Sequence, residues 1–293
     1  MSRKMIKGKK PLLPQEELHP MDWWLRSGRM PHIWCAGCGI GPTLYAWVRA
    51  LGRVGIDKDK VVYVSGIGCC GRGSGYLDVD GFHTTHGRAI PFATGIKLVK
   101  PDLCVNVISG DGDLFSIGGN HFIHAARRNV DLLVICTNNF IYGMTGGQLA
   151  ATTLRGDYST TSPYGNIEDP FNTPHLADAS GAVYVARWTS IHVRLLEKSI
   201  AEALKMKGFR YIEVLSPCPI NYGRRNRLRE VDAIAKWFWQ SSVIRHGADT
   251  SEVQIEKGKP IILGNFVKRE KLSYYEELKK LEEKVKRAAE AKK

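Results

Sequence analysis

Leu103-Cys104-Val105-Asn106-Val107-Ile108-Ser109-Gly110-Asp111-Gly112-Asp113, answered by Asp131-Leu132-Leu133-Val134-Ile135-Cys136-Thr137-Asn138-Asn139, decides the fold. Each stretch is a short, mostly apolar run of buried-strand length that ends in small polar residues. Between them, Leu114 to Arg128 carries Phe115, Phe122, Ile123 and Ala126 at roughly helical spacing. Strand, helix and strand make a βαβ unit, whose two strands run parallel through a right-handed crossover. Asp111 and Asn139 then lie just beyond the carboxyl ends of parallel strands, where open α/β sheets bind ligands.

An acid and an amide on one sheet edge, with glycines around them, suit a hard cation that holds a diphosphate. Mg²⁺ takes near-octahedral oxygen ligands and draws some of them from phosphates. Here Asp111 and the Asn139 side-chain oxygen supply two, and a backbone carbonyl just beyond supplies a third. Gly110 and Gly112 let backbone N–H groups approach the phosphates. The simpler alternative is a strand-end turn in which Asp and Asn cap nearby helices. The paired Asn-Asn at the far end of the unit favours the metal.

Working outward, Pro42 opens a helix with Leu44, Ala46, Trp47 and Leu51 on its apolar face. Val61–Val64 is a strand leading into the Gly-rich Ser65–Gly75, and a helix from Ala89 to Lys100 precedes the central unit. Leu149–Pro174 is a long polar loop, a length usually kept for lids or interfaces. The alternation resumes with the strand Ala182–Ala186, the helix Ile191–Lys207 and the strand Phe209–Leu215. Residues 1–30 form a Pro-punctuated arm anchored by Trp23 and Trp24, and residues 31–222 carry the α/β domain. Residues 223–293 form a C-terminal excursion: an aromatic helix over Val231–His246, a β-rich piece around Ile261–Val267 and a charged terminal helix. Leu278, Leu281, Val285 and Ala288 fall on one face of that helix. The expected class is α/β, a mostly parallel sheet with helices on both faces.

Composition narrows the function. No apolar run approaches the ~18–20 residues that span a bilayer, and the basic N-terminus lacks the apolar core of a secretory signal. Seven cysteines, an odd number, favour a reducing cytoplasm and thiolate chemistry over disulfides. The formal net charge is +13. No recognition helix or RNA-binding motif accompanies it, so nucleic acid is not expected; a basic surface equally steers an acidic protein partner.

Cys35 and Cys38 form a Cys-x-x-Cys loop, while Cys69 and Cys218 each follow a strand end. Parallel strands bring such loops together, and four converging thiolates suit Zn²⁺ or an iron–sulfur cluster. Cys104 and Cys136, inside apolar strands, read as small buried hydrophobes.

Gly110-Asp111-Gly112 followed by Asn138-Asn139 resembles the thiamine diphosphate motif. More closely, Gly-Asp-Gly-Asp with Gly118–Asn129 and Asn138–Gln148 resembles the β subunit of 2-oxoacid:ferredoxin oxidoreductases, from about Trp34 to Phe266. The resemblance implies the thiamine diphosphate-binding fold. It further implies coenzyme A-dependent oxidative decarboxylation of a 2-oxoacid, with electrons passed to ferredoxin. It implies Mg²⁺ on Asp111, Asn139 and the Ile141 carbonyl, with Gly68, Gly112, Asp113, Gly143 and Thr145 lining the diphosphate. Cys35, Cys38, Cys69 and Cys218 would hold a [4Fe–4S] cluster, although Cys70 stands where the family has a small residue and competes with Cys69. Arg72 matches a position facing substrate, where a guanidinium clamps a carboxylate, which favours 2-oxoglutarate over pyruvate or a branched-chain acid. Pairing of Arg72 with Asp78 or Asp80 is its alternative. His86 reaches the reacting centre or the partner interface, or else caps a helix; His121 and His124 are structural. The glutamate that activates the pyrimidine is not identifiable, and in this family the α subunit supplies it. The rivals are a non-redox thiamine decarboxylase with a structural metal and a zinc-bearing basic scaffold for RNA.

Overall fold

The apolar runs pair into one eight-stranded sheet in a computed structural model that describes residues 21–230 and 232–291. Its strands are β1 (Val61–Ser65), β2 (Asp80–His83), β3 (Cys104–Gly110), β4 (Leu132–Asn138), β5 (Tyr184–Thr189), β6 (Phe209–Leu215), β7 (Ser242–Ile244) and β8 (Ile261–Lys268). They lie in the order β2-β1-β3-β4-β6-β5-β8-β7. All neighbours are parallel except β5 and β8. The helices are α1 (Ile40–Val54), α2 (Ala89–Val99), α3 (Gly119–Arg127), α4 (Thr173–Ala179), α5 (Val193–Leu204), α6 (Ala233–Ser241) and α7 (Tyr274–Glu290).

Strand β4 shows why both faces of the sheet are covered. Its side chains alternate, as the pleat requires. Leu133 and Ile135 join one core with Trp47 and Leu51 of α1, Leu196 and Ile200 of α5, and Phe238 of α6. Leu132, Val134 and Cys136 join the opposite core with Ile90 of α2, Phe122 of α3 and Ala177 of α4. A strand buried on both faces cannot alternate in hydrophobicity, hence the unbroken apolar run. At the far end of the sheet from the site, Asp131 is buried between Lys97 at 2.9 Å and Arg210 at 2.7 Å.

Three local expectations differ from the fold. The helix read over Leu114–Arg128 is split: Gly112–Ile117 is a π-turn, closed by the Gly118 N–H donating to the Asp113 carbonyl five residues back at 2.9 Å, and α3 starts at Gly119. Such turns recur at functional sites. Asp80–His83, too polar to read as a strand, is the edge strand β2, exposed along its whole length. The aromatic helix is shorter than Val231–His246, because β7 takes over at Ser242 and pairs with β8. The C-terminal strands thus extend the main sheet.

Of the N-terminal arm, residues 1–20 lie outside the described residues. Trp24 packs against the core, whereas Trp23 is 72% exposed with the Lys58 ammonium 5.0 Å from its ring.

Candidate active site

The ends of β1, β3 and β4 open onto one cleft. It is lined by Gly68, His86, Gly110, Asp111, Gly112, Asp113, Asn139, Ile141, Gly143 and Thr145, all expected from the sequence, together with Cys69, Cys70 and Tyr142. Asp111 is 1% exposed. One carboxylate oxygen accepts from the Asn139 N–H at 3.2 Å and the other from the Thr152 hydroxyl. Burial pushes this carboxyl up from 3.8 to about 6, against those hydrogen bonds. Among the described residues it has no ion-pair partner. The Asn139 side-chain oxygen accepts from the Ile141 N–H at 3.1 Å, which curls the chain so that residues 139 and 141 approach Asp111 together.

That curl passes through Phe140, a bulky residue at φ 63°. Its N–H donates to the Asn138 side chain and its carbonyl accepts from Thr153 at 2.6 Å. The ring is buried against Tyr222. Left-handed backbone at such a residue costs on the order of 1–3 kcal/mol and persists only where the surroundings over-determine it. Asn138, the first residue of the pair, is itself tied to Glu213 of β6 at 2.8 Å. The first asparagine builds the turn that the second uses.

Asp113 sits differently from Asp111. Its carboxylate accepts from the N–H groups of Ile67 at 3.1 Å and Gly87 at 2.7 Å and from the Ser109 hydroxyl at 2.8 Å. His86 Nδ1 stands 2.7 Å from it. Asp113 therefore ties three loops together and orients His86 from within the wall. Gly112 is required by contact: a Cβ there would lie 2.7 Å from the Tyr142 ring. Thr145 donates its hydroxyl to Gln148 at 2.6 Å at the exposed rim.

Arg72 is exposed on the 3₁₀ turn Cys70–Gly75 and does not line the cleft. Asp78, a candidate partner for it, pairs with Lys58 instead. No glutamate lines the cleft among the described residues.

The four loop cysteines converge beside this cleft. Burial, with Cys218, Cys69 and Cys35 adding to it as neighbours, pushes the Cys38 thiol up to about 12. Cys69 is likewise raised by burial and then by Cys218 and Cys35. The Asn221 N–H donates to the Cys218 sulfur at 3.3 Å, and the Trp34 indole donates to the Cys69 carbonyl at 2.8 Å. Cys70 faces the core: it is 4% exposed and its thiol pairs with Thr137. Among the described residues, no three His, Cys, Asp or Glu side chains are arranged to hold one metal ion.

Cleft and cysteines share a wall. A Cβ on Gly143 would lie 3.5 Å from the Asn139 amide nitrogen and 3.6 Å from the Cys218 sulfur. The Asn221 side chain donates to the Gly143 carbonyl at 2.7 Å. Thr152 and Asn221 are site residues that the sequence did not single out. Thr152 was hidden in a polar loop, and only the π-turn Pro219–Gly223 brings Asn221 back onto Cys218.

Comparison with known proteins agrees with this geometry. Residues 66–214 match the thiamine pyrophosphate enzyme C-terminal TPP-binding domain. The 2-oxoglutarate synthase subunit KorB of Methanocaldococcus jannaschii is 48% identical over 92% of this chain and 99% of its own. A 2-oxoacid:ferredoxin oxidoreductase subunit beta of Sulfolobus sp. is 41% identical over 83% and 84% of the two chains. A solved 2-oxoglutarate:ferredoxin oxidoreductase from Magnetococcus marinus, with 2-oxoglutarate, coenzyme A and succinyl-CoA bound, superposes with a TM-score of 0.81 at 33% identity, covering 92% of this chain and 91% of that one. With a thiamine-binding domain at its centre and relatives this similar over nearly its full length, the chain belongs to the β-subunit family of the 2-oxoacid:ferredoxin oxidoreductases.

Proposed function

We propose that this chain, joined to an α subunit, decarboxylates 2-oxoglutarate oxidatively with coenzyme A and passes the electrons to a ferredoxin. Its similarity to 2-oxoglutarate synthase subunits and to a 2-oxoglutarate-bound oxidoreductase supports this substrate. The observation that carries the reading is the shared wall: Gly143 lies between Asn139 on one side and Cys218 on the other.

Asp111, Asn139 and the Ile141 carbonyl are the residues we assign to Mg²⁺. A buried carboxylate held up at about 6 with no cation beside it suits a divalent ion, which removes the cost of its charge. Gly68, Gly110, Gly112, Gly143 and Thr145 are assigned to the diphosphate. Asp113 contributes by holding Ile67, His86 and Gly87 in place. Bound thiamine diphosphate supplies the electron sink for decarboxylation; the protein binds and orients it.

Cys35, Cys38, Cys69 and Cys218 are assigned to a [4Fe–4S] cluster. Zinc ribbons normally carry two Cys-x-x-Cys pairs, and this chain has one, Cys35 and Cys38. A four-iron cluster takes one cysteine per iron. Cys70, turned to Thr137, is left out. His86, fixed on one nitrogen by Asp113, lines the cleft, and Arg72, outside the cleft of this chain alone, is assigned by its motif position to the distal carboxylate of the substrate. The α subunit supplies the missing glutamate.

Co-expression with the α subunit and anaerobic purification tests the reading. The expected product is brown, contains iron, sulfide and thiamine diphosphate, and reduces viologen when given 2-oxoglutarate and coenzyme A. A colourless zinc protein would refute it.

A further inference from the structure

Immediately after the Cys218 loop the chain runs through Arg224, Arg225, Arg227 and Arg229, all exposed. Among the described residues none of the four forms an ion pair; Arg229 donates only to the Arg224 carbonyl, at 3.1 Å. Four unpaired guanidinium groups on one short loop repel one another, an arrangement that stability alone disfavours. The loop is nevertheless held firmly. Asn226 accepts from the Tyr158 N–H at 2.8 Å and donates to the carbonyls of Tyr158 and Tyr222. Arg227 takes a left-handed backbone, φ 62°.

Arg224, Arg225 and Arg229 line a surface depression with Tyr158, Ile220 and Asn221. Tyr158 is 46% exposed, so the depression offers an aromatic face inside a cationic rim. Its floor is the important part. Asn221 is the residue whose backbone N–H meets the Cys218 sulfur and whose side chain holds the Gly143 carbonyl. A molecule seated there is one residue away from a cluster ligand.

We propose that this arginine loop is the docking surface for a small acidic iron–sulfur protein that accepts electrons from the Cys35/Cys38/Cys69/Cys218 site. The inference rests on the redox function proposed above and adds the place of exchange. One electron leaves the reduced cluster and enters the oxidised iron–sulfur centre of the partner; no proton or bond changes hands. Unpaired, preorganised arginines suit carboxylate-rich surfaces bidentately. A charged patch of this kind raises the encounter rate of an oppositely charged protein by roughly 10–10³-fold, and salt removes the gain.

The test uses the anaerobic holoenzyme with its α subunit and a purified acidic ferredoxin. Binding is read by thermophoresis without turnover, and electron transfer by ferredoxin reduction. In the triple variant R224E/R225E/R229E, binding should weaken at least tenfold at low ionic strength, and the difference should close as salt rises to about 0.5 M. Reduction of methyl viologen by 2-oxoglutarate and coenzyme A should match the parent enzyme. The charge-preserving R224K/R225K/R229K variant should recover most of the binding. Unchanged ferredoxin binding in the reversal variant overturns the proposal. So does equal loss of the viologen and ferredoxin reactions, or loss of the α subunit on purification, which would assign the loop to folding or assembly. A parent enzyme that reduces no viologen fails the redox function itself, a separate result.

Discussion

The Cys218 N–H donates to the carbonyl of Asn139 at 3.3 Å. The last of the four loop cysteines thus hangs from the residue that closes the Asp111–Asn139 pair. Since Ser216 also donates its N–H to the Asn138 carbonyl at 2.8 Å, the ladder between β4 and β6 continues past the strand ends into the site. The end of β4 that leads into the cleft therefore also fixes the height of Cys218.

Replacing Asp111 by Asn should separate binding from stability. Burial raises this carboxyl to about 6 in the folded protein, against 3.8 ordinarily. An acid with a raised folded value stabilises the fold only while protonated, fully below about pH 3.8, and that stabilisation is gone once the pH has risen through about 6. At neutral pH the cofactor-free protein therefore carries an unfavourable buried charge. Asp111→Asn should raise the melting temperature of cofactor-free protein, by the equivalent of about 1–3 kcal/mol, and should abolish retention of Mg²⁺ and thiamine diphosphate. Differential scanning calorimetry with and without both ligands reads both effects.

Cys69 and Cys70 should answer differently to the same change. Cys69→Ser should lose the iron and visible absorbance of the proposed cluster while the chain still folds. Cys70→Ser should keep the iron and lose about 1–2 kcal/mol, because a hydroxyl replaces a thiol at a site 4% exposed. Iron analysis with denaturant unfolding distinguishes them; loss of iron in both would make Cys70 a ligand.

Asp131 should be indispensable at the opposite end of the sheet. Burial raises its pKa, but Arg210, Lys97 and Lys207 outweigh burial and hold it below the usual carboxylate range. Its contribution is fully present above about pH 4 and is lost as the pH falls through the lowered value. Asp131→Asn leaves Lys97 and Arg210 buried without a counter-charge, which costs about 3–5 kcal/mol. Urea unfolding at pH 7 should show that loss, and the mutant should differ less from the parent in acid.

Arg72 tests the substrate. Arg72→Ala should raise KM for 2-oxoglutarate roughly tenfold or more, the worth of one charge-assisted hydrogen bond, and leave KM for pyruvate nearly unchanged. Equal effects on both acids would remove Arg72 from carboxylate recognition.

Much of this was legible in the sequence. Buried parallel strands announce themselves as unbroken apolar runs, and β3 and β4 fell where those runs do. Asp111, Asn139, Cys69 and Cys218 stood out because each combines a reactive type with a strand-end position, and Cys35 and Cys38 because of their Cys-x-x-Cys spacing. What escaped is non-local. Strand β2 has no apolar pattern, since it is exposed and held only by its ladder with β1. The π-turn at Gly112–Ile117 was hidden because five-residue closure leaves no mark in hydrophobic spacing. The inward turn of Asp113 could not be read from Gly-Asp-Gly-Asp, where both acids look equally free. Arg72 sits in a resembling motif yet lies outside the cleft of this chain alone.

The contacts around Gly143 couple the Asp111–Asn139 cleft to the loop cysteines. A Cβ at 143 would stand in ordinary van der Waals contact with both the Asn139 amide and the Cys218 sulfur, and Asn221 grips the carbonyl of the same residue. Positions 139, 143, 218 and 221 therefore form one connected set of contacts. Moving Asn221 would shift the 143 carbonyl and the Cys218 sulfur together, so a disturbance at one edge of the cleft reaches the cysteines through a single amide.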